Sequence, residues 1–422
     1  MKFAGLAAMT AAFIAMPVMA ETTIIQADGV VTSADAAPMG RATVTVTDGR
    51  IVDIAEGWQA GPAGAEVVRL EGKTLVPGLI DLHVHLTGDP GGDFWSRTVE
   101  PNEWGVVVGA KNARVTALAG FTTVREAGSA QHTAYALRRG TAEGVIPGPR
   151  IVAAGPPLAI VGGHGDVSGF RPEINAILAS GYACTGAVEC AEKVRRASQN
   201  GADTIKITAT GGVLSQQGRG LEAHFTDTEM KAIADTAHSL GLKVMAHAHG
   251  ARGIEAASRA GIDTIEHATY IDEAAAREMR QNGTVLVPTL MAFRGVTERL
   301  GKGIYTPVVE DKIRAVAETA KVFMGKAYRW GVPIAFGTDA GVFDHGRNAE
   351  EFAMMREQGM SDSEALASAT TVAAKVLEME NEIGRIAVGY SADIIAVEGN
   401  PLDDVRVLEN VDWVMVRGRV ME

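Results

Sequence analysis

The hydrophobic and polar positions near the N-terminus alternate in short runs, as they do in strands that bury one face. Residues 42–46 and 51–52 form two such runs and flank Asp48-Gly49. A two-residue connection of this type favours a tight hairpin, because both positions adopt positive φ readily. The pattern therefore predicts antiparallel strands in the first part of the chain.

The same pattern returns near the C-terminus. Residues 393–397 form an apolar run, and residues 411–420 alternate around Arg417-Gly418. These features predict a strand followed by a hairpin. We therefore expect a small β-sandwich domain built from residues 21–77 and 376–422, with a second domain inserted into it.

Between these ends the pattern changes to a strand, a loop and a helix, repeated about eight times. Eight such units within residues 78–375 indicate an α/β fold of the (β/α)8 TIM-barrel type. The predicted strands are 79–85, 122–126, 150–154, 204–208, 243–247, 264–267, 285–289 and 334–338. The predicted helices include 227–240, 253–260, 272–281 and 309–330.

A doubly wound open sheet is the alternative arrangement of these units. It would be supported by a glycine-rich loop with the spacing of a dinucleotide or phosphate site. The loops Gly162-Gly163-His164-Gly165 and Gly211-Gly212 lack that spacing. The barrel is therefore the favoured arrangement.

Residues 1–20 read as a targeting segment. They carry one charge and a mostly apolar stretch over 3–18, and the small residues Val18 and Ala20 precede Glu21. This pattern is typical of a secretory signal peptide, so we expect a periplasmic or secreted protein. An uncleaved membrane anchor is the alternative, which the cleavage pattern disfavours.

The charge balance narrows the choice of partners. The chain has 39 Lys and Arg against 51 Asp and Glu, a net charge of −12, and no basic run longer than a pair such as Arg138-Arg139. We therefore expect no nucleic-acid partner, and no membrane partner after signal cleavage. A small-molecule substrate is the expected partner.

The two cysteines, Cys184 and Cys190, have five residues between them. In an exported protein they could close a short disulfide. Two free thiols are the alternative, because the geometry of a bridge cannot be read from spacing.

Candidate chemistry begins with His83 and His85 on the first central strand. Residues two apart on a strand point to the same face, so both imidazoles can reach one metal ion from one direction. Such a pair also occurs by chance on solvated strands. Its meaning depends on the rest of the chain.

Further titratable residues lie near the ends of other predicted strands. Lys206 lies on the fourth, His247 and His267 end the fifth and sixth, and Asp339 follows the eighth. In a barrel these strand ends converge on one face. Four imidazoles and a carboxylate can bind two divalent cations, which need an anionic bridge between them.

Lys206 can provide that bridge only after modification, because an ammonium group does not bind a cation. Its deprotonated amine can react with carbon dioxide to give a carbamate with two oxygens and a negative charge. Without its neighbours, Lys206 would be interpreted as part of a buried ion pair or as a solvated strand end. Beside the histidines, we interpret it as N6-carboxylysine.

These residues lie in motifs that, in this order, resemble the amidohydrolase superfamily over nearly the whole mature chain. The motifs are PGLIDLHVH at 77–85, GFTTVR at 120–125, IKI at 205–207, AHAHG at 246–250, IEH at 265–267, GTDAG at 337–341 and GYSAD at 389–393. The resemblance implies two Zn²⁺ ions. The implied ligands are His83, His85 and Asp339 on one ion, His247 and His267 on the other, and carbamylated Lys206 between them.

Within the superfamily, the chain is most similar to the branch of imidazolonepropionase-like proteins, metal-dependent Xaa-Pro dipeptidases and carboxypeptidase-like enzymes, which includes ochratoxin-degrading amidohydrolases. Imidazolonepropionases typically bind one metal and lack the bridging lysine. Lys206 therefore favours the peptidase-like side. The resemblance also implies a homo-oligomer, up to an octamer.

The ligand set predicts a hydrolytic mechanism. Water shared by two metals has a lowered pKa and supplies hydroxide near neutral pH. Asp339 is the expected catalytic residue, accepting the proton as hydroxide attacks the carbonyl and delivering it to the leaving amine. One metal stabilises the developing oxyanion.

Other polar residues are expected near the substrate. His249, two positions after His247, can point into the same cleft, and the two could exchange roles; we interpret His247 as the ligand. His164 is expected to be an exposed loop imidazole that either binds a substrate carboxylate or is merely solvated. Arg125 and Glu126 are expected to form a charged pair in or below the barrel mouth.

The leading hypothesis is a binuclear zinc amidohydrolase that cleaves the amide bond to a C-terminal amino acid, in a dipeptide or an N-acyl amino acid, with ochratoxin-A-type amides as further substrates. Hydrolysis of a cyclic amide, a lactone or a phosphotriester is the second hypothesis, because the same hydroxide attacks each of these groups. A catalytically dead metal-binding protein is the third.

Overall fold

The computed structural model describes residues 21–91, 95–216 and 221–422. The predicted signal peptide, residues 1–20, lies outside the described residues. Within them, no helix is both long enough and apolar enough to cross a membrane.

The described chain is a mixed α/β fold whose elements alternate through its central part. The strands are β1 (Thr22–Val30), β2 (Ala42–Thr47), β3 (Arg50–Glu56), β4 (Glu66–Pro77), β5 (Leu79–Val84), β6 (Phe121–Glu126), β7 (Arg150–Ala153), β8 (Ala159–Ile160), β9 (Ala183–Cys184), β10 (Thr204–Thr208), β11 (Lys243–Ala248), β12 (Thr264–His267), β13 (Val285–Val287), β14 (Ile394–Glu398), β15 (Val411–Val416) and β16 (Arg419–Val420).

The helices connect these strands. They are α1 (Trp104–Leu118), α2 (Thr133–Ala142), α3 (Pro172–Leu178), α4 (Ala187–Gln199), α5 (Asp227–Ser239), α6 (Ala251–Ala260), α7 (Glu273–Asn282), α8 (Leu290–Glu298), α9 (Pro307–Ala320), α10 (Phe323–Arg329), α11 (Glu350–Glu357), α12 (Asp362–Ser368) and α13 (Thr371–Val376), with short 3-10 helices at Ser96–Thr98 and Val405–Glu409.

Strands from both ends of the chain form one seven-stranded sheet, in the order β16-β15-β14-β4-β1-β2-β3. Alternate residues of β14 pack on opposite faces, as strand geometry requires. Ile395 and Val397 enter the main core, whereas Ile394 and Ala396 belong to a separate core on the other face. The sandwich packing and the domain boundaries stay predictions.

Both predicted hairpins of this sheet are present. β2 pairs with β3 across Asp48-Gly49, and β15 pairs with β16 across Arg417-Gly418. All four turn residues have positive φ, between 48° and 76°. The turn residues in the sequence were therefore sufficient to predict these connections.

Seven of the eight predicted central strands are present as β5, β6, β7, β10, β11, β12 and β13. They form two parallel groups, β5-β6-β7 and β10-β11-β12-β13. Leu158 links the groups on one side, because its N–H donates to the Lys206 carbonyl (2.8 Å) and its carbonyl accepts from the Thr208 N–H (3.0 Å).

The predicted eighth strand, 334–338, is not a regular strand in the described structure. Single bridges join Ile334 to Leu286 of β13 and Ala340 to Val84 of β5, so the segment still links the two groups. A side chain explains the irregularity. The Thr338 N–H donates to a carboxylate oxygen of Asp81 (3.1 Å) instead of to a neighbouring strand.

The predicted helices 227–240, 253–260 and 272–281 correspond to α5, α6 and α7. The prediction of one helix over 309–330 is wrong, because that segment divides into α9 and α10. Gln358 enters the gap between them: its side-chain oxygen accepts from the Gly325 N–H (2.9 Å) and its amide donates to the Ala320 carbonyl (3.2 Å). These bonds replace the regular helical hydrogen bonds at the break.

Cys184, at the end of β9, and Cys190, in α4, form a disulfide in the structure, with Cα atoms 5.1 Å apart. Both side chains are buried. The bridge connects the short strand β9 to the first turns of α4.

Candidate metal centre

The residues predicted to bind metal lie together at the C-terminal ends of the central strands. Nε2 atoms of His83 and His85 lie 3.6 and 3.3 Å from Asp339 Oδ1. Ligand atoms of these three residues lie within 4.8 Å of one another. The pair of histidines and the aspartate therefore converge as the strand register predicts.

The other predicted ligands adjoin this group. Lys206 Nζ lies 3.3 Å from His83 Nε2. The ring centroids of His83 and His267 are 5.2 Å apart, and those of His247 and His267 are 4.5 Å apart. Five different parts of the chain thus bring six polar side chains into one buried cluster.

Hydrogen bonds orient the imidazoles. His83 Nδ1 donates to Glu266 Oε2 (2.7 Å), and His85 Nδ1 donates to the Gly128 carbonyl (2.8 Å). Each bond leaves Nε2 as the unprotonated nitrogen facing Asp339. Such outer partners are typical of histidines that bind metal.

The second pair of histidines is oriented in the same way. The Thr289 hydroxyl donates to the Pro288 carbonyl (2.7 Å), so at 2.6 Å it accepts from His267 Nδ1 and leaves Nε2 unprotonated. His247 Nε2 donates to the Gly211 carbonyl (3.2 Å), which leaves Nδ1 as its unprotonated nitrogen.

The electrostatics favour a divalent cation. Burial lowers the pKa of His83, His247 and His267 well below the usual range, so these imidazoles are neutral, as ligands must be. Asp339 Oδ1 is buried and has no hydrogen-bond partner among the described residues. A buried oxygen without a donor, beside two unprotonated nitrogens, fits a metal ion.

His249 and His164 lie at the edge of this cluster. The centroid of the His249 ring is 4.5 Å from that of His247, and its Nδ1 lies 2.7 Å from the Thr269 hydroxyl. The His164 ring lies 4.3 Å from that of His247. His164 is half-buried, so the expectation of an exposed imidazole is wrong.

The expected pairing of Arg125 with Glu126 is also wrong. Neighbouring residues of β6 point to opposite faces. Arg125 is buried inside, where its Nη2 donates to Glu266 Oε1 (3.0 Å), whereas Glu126 accepts from the Leu86 N–H (2.6 Å). Arg125 thus holds the carboxylate that orients His83.

Asp81 is a further buried residue that the sequence reasoning missed. One oxygen accepts from the His83 N–H (3.0 Å), and the other accepts from the Thr338 hydroxyl (2.6 Å) and the Asn348 amide (2.8 Å). It therefore ties β5 to the segment that ends at Asp339. Asp81 lies two residues before His83 in an otherwise apolar run, and this position in the sequence could have indicated a buried carboxylate on the same face of the strand.

Comparison with known proteins identifies the family. Residues 74–421 match the amidohydrolase family. The chain belongs to the amidohydrolase family. It is therefore a hydrolase of amide bonds, and the cluster around His83, His85 and Asp339 is a possible site for the metal on which this family depends.

Three relatives place this amidohydrolase within the family. The ochratoxinase of Aspergillus niger is 32% identical over 419 residues, which cover 92% of this chain and 84% of that enzyme. Its crystal structure matches with a TM-score of 0.80 at 27% identity, over 96% of each chain.

The crystal structure of a Xaa-Pro dipeptidase with bound methionine matches with a TM-score of 0.88 at 37% identity, over 95% of this chain and 100% of that one. An imidazolonepropionase of Mesorhizobium japonicum is 24% identical over 360 residues, 79% of this chain and 80% of that protein. The predicted resemblance to this branch is confirmed.

Proposed function

We propose that this amidohydrolase cleaves the amide bond to a C-terminal amino acid with a free carboxylate, in a dipeptide or an N-acyl amino acid. The observation that carries the proposal is the buried Oδ1 of Asp339, which lies beside His83 and His85 and has no hydrogen-bond partner in the part of the chain that the structure describes. Relatives named Xaa-Pro dipeptidase and ochratoxinase support amide substrates of this class, including ochratoxin A.

We propose that the cluster binds two Zn²⁺ ions. His83, His85 and Asp339 would hold one ion, His247 and His267 would hold the other, and carbamylated Lys206 would be the anionic ligand that the two ions share. When bound, the two ions supply hydroxide near neutral pH and polarise the substrate carbonyl.

Lys206 is suited to carbamylation by its burial, which lowers its pKa to about 8. A fraction of the amine is therefore unprotonated at neutral pH. The unprotonated Nζ attacks carbon dioxide, a nitrogen–carbon bond forms and one proton is released. The carbamate anion thus takes the place of the Lys206 ammonium cation within the cluster.

Asp339 moves the proton in the proposed reaction. Its carboxylate accepts a proton from the attacking water and delivers it to the nitrogen of the leaving amine. Burial raises the pKa of Asp339 to about 7, although the charge of Lys206 acts in the opposite direction.

His164 and His249 are proposed to contact the substrate, because both rings adjoin that of His247. The His164 ring is held by its Nδ1, which lies 2.8 Å from the Ser215 hydroxyl. A fixed imidazole at this edge can donate a hydrogen bond to the substrate carboxylate.

Three further parts of the proposal concern barrel closure, export and assembly. We infer that the two parallel groups of strands close into a (β/α)8 barrel through Leu158 and the segment around Ile334. We also propose that the enzyme is exported to the periplasm or secreted, and that it assembles into a homo-oligomer.

A substrate panel tests the function. The zinc-loaded enzyme should hydrolyse N-acyl-phenylalanine, a Xaa-Pro dipeptide or ochratoxin A, and C-terminal amidation of the same compound should lower kcat/KM at least tenfold. A lactone and a phosphotriester serve as the other arms. Activity confined to those two would contradict the proposal, and no hydrolysis with full metal loading would favour a metal-binding protein.

A further inference from the structure

A second candidate site lies at the opposite end of the central strands from the metal ligands. There, the first residues of β7 and the residue before β10 face the seven-stranded sheet formed by both ends of the chain, the terminal sheet, across a solvent-open cavity of about 460 Å³. This volume is in the range of sites for small molecules. The charged residues that line it are Arg138, Arg139, Arg150, Asp203 and Arg417.

Two of these arginines are neutralised locally. Arg138 forms an ion pair with Asp203 across the cavity wall. Arg139 is largely exposed and pairs with Glu143 (2.7 Å), the residue directly after α2. Neither leaves a net positive charge for a ligand.

Arg150 is satisfied only in part. Its Nη2 donates to the Ser391 hydroxyl (3.1 Å) and to Asp393 (3.3 Å), and its Nη1 lies 3.6 Å from Glu382. Glu382 also pairs with Arg50 (3.4 Å). The Nε of Arg150 is buried and has no hydrogen-bond partner within the described ranges.

Arg417 has no ion pair in the part of the chain that the structure describes. Its Nε is buried without a hydrogen-bond partner. Burial, together with the positive charge of Arg150, lowers the pKa of Arg417, whereas the carboxylates of Asp393 and Glu382 act in the opposite direction, and the guanidinium remains protonated. The side chains of Arg150 and Arg417 therefore both line the cavity, and Arg417 is the one that forms no direct ion pair with a carboxylate among the described residues.

The backbone position of Arg417 is unfavourable for an arginine. It is the first residue of the β15–β16 turn and has φ of 51°. The β2–β3 turn packs directly against it and has Asp48 at the equivalent position, with φ of 48°. Asp and Asn tolerate this region better than Arg. Arg417 thus occupies a turn position at which the neighbouring hairpin has Asp48, a residue that tolerates positive φ better.

We propose that this cavity binds a small molecule bearing a phosphate or carboxylate group, held between Arg417 and Arg150. The forked guanidinium donors match the oxygens of either group. Arg150 belongs to β7 and Arg417 to the terminal sheet, so the ligand joins the two parts of the molecule. Bound ligand stabilises the folded state by mass action.

Thermal unfolding of the zinc-loaded mature protein tests this proposal. Inorganic phosphate and acetate are the two probes, and sodium chloride at matched ionic strength is the reference. Arg417→Asn removes the guanidinium and supplies a residue that favours the turn, so its melting temperature in chloride should equal or exceed that of the wild type. Arg277→Gln, at an exposed helical position, is the charge-matched control.

For the wild type and Arg277→Gln, we expect a saturable rise in melting temperature of about 2–3 °C at a hundredfold excess over Kd. Arg417→Asn should show no rise. A response to phosphate alone assigns a phosphate-bearing ligand, a response to acetate alone assigns a carboxylate-bearing one, and a response to both supports a site that accepts either group.

Arg417→Lys keeps the positive charge but removes the paired, planar N–H donors of the guanidinium. It should raise the Kd of the anion at least tenfold. The proposal is overturned if neither probe exceeds chloride, if Arg417→Asn responds like the wild type because the anion binds at the metal cluster, or if Arg417→Lys binds unchanged.

Discussion

Individual residues at the metal cluster adopt backbone conformations that are costly in isolation. His267, Thr289 and Asp339 have φ of 73°, 51° and 63°, in the left-handed region that disfavours residues other than glycine. Each costs about 1–2 kcal/mol. They lie where strands end and side chains must turn toward one point, so the strain at these three positions directs side chains into the candidate site.

Asp339→Asn tests the proton transfer. The amide is isosteric and leaves five ligands, so we expect zinc content to survive while kcat for amide hydrolysis falls about 10²–10⁴-fold. Metal analysis and steady-state kinetics on the same sample measure both. Asp344→Asn, an exposed aspartate in the following loop, should behave as the wild type. Unchanged hydrolysis would remove Asp339 from its assigned role.

Lys206→Ala tests the carbamate. Loss of the bridging anion should reduce zinc content and abolish hydrolysis. Propionate should restore part of both, because a short carboxylate supplies two oxygens in the vacated space. Chloride at the same concentration should restore neither. Full metal occupancy without propionate would count against the carbamate.

At the scale of elements, local sequence predicted most helices and strands, and contacts from distant residues explain the exceptions. The helix predicted over 309–330 breaks because Gln358, from a separate part of the chain, hydrogen-bonds across the break. The predicted eighth strand is irregular because Asp81 accepts the Thr338 N–H. The hydrophobic periodicity of a segment contains no information about a distant partner such as Gln358 or Asp81.

The start of α8 depends on another distant side chain. Glu351 is fully buried, and its two carboxylate oxygens accept the N–H groups of Leu290 (2.8 Å) and Met291 (2.7 Å). Those donors have no partner inside the helix. The helix follows Thr289 directly, so this contact also fixes the residue that orients His267.

Glu351→Ala should lower the free energy of unfolding by about 2–4 kcal/mol, because it leaves two buried donors without an acceptor. Urea denaturation of the metal-loaded protein measures this change. Glu357→Ala, at an exposed position of the same helix α11, should change the free energy by less than about 0.5 kcal/mol. Equal effects of the two substitutions would contradict the assigned contact.

At the scale of the whole molecule, the metal cluster joins parts of the chain that are far apart in sequence. A buried polar layer of Asp81, Arg125 and Glu266 lies directly beneath it and connects β5, β6 and β12. β4 pairs with β14, so the two ends of the chain share one sheet. Metal binding should therefore affect the stability of the whole fold.

Chelation of the metal should lower the midpoint of thermal unfolding by a few degrees, because bound ions stabilise the folded state by about 4 kcal/mol when zinc is a thousandfold above Kd. Added zinc should restore the midpoint in differential scanning calorimetry. The Lys206→Ala protein is the control and should show little response. An unchanged midpoint after demonstrated loss of zinc would contradict the coupling.

The sequence by itself determined the alternation of strands and helices, both hairpin turns, and the group of residues that meet at the strand ends. These depend on residue spacing and on the direction of side chains along a strand, which are local properties. Only the tertiary structure decided which charge Arg125 neutralises, where Gln358 and Glu351 act, and that Asp81 ties β5 to the segment ending at Asp339. Each of those contacts joins residues at least thirty positions apart, and at that separation the partner is set by three-dimensional packing.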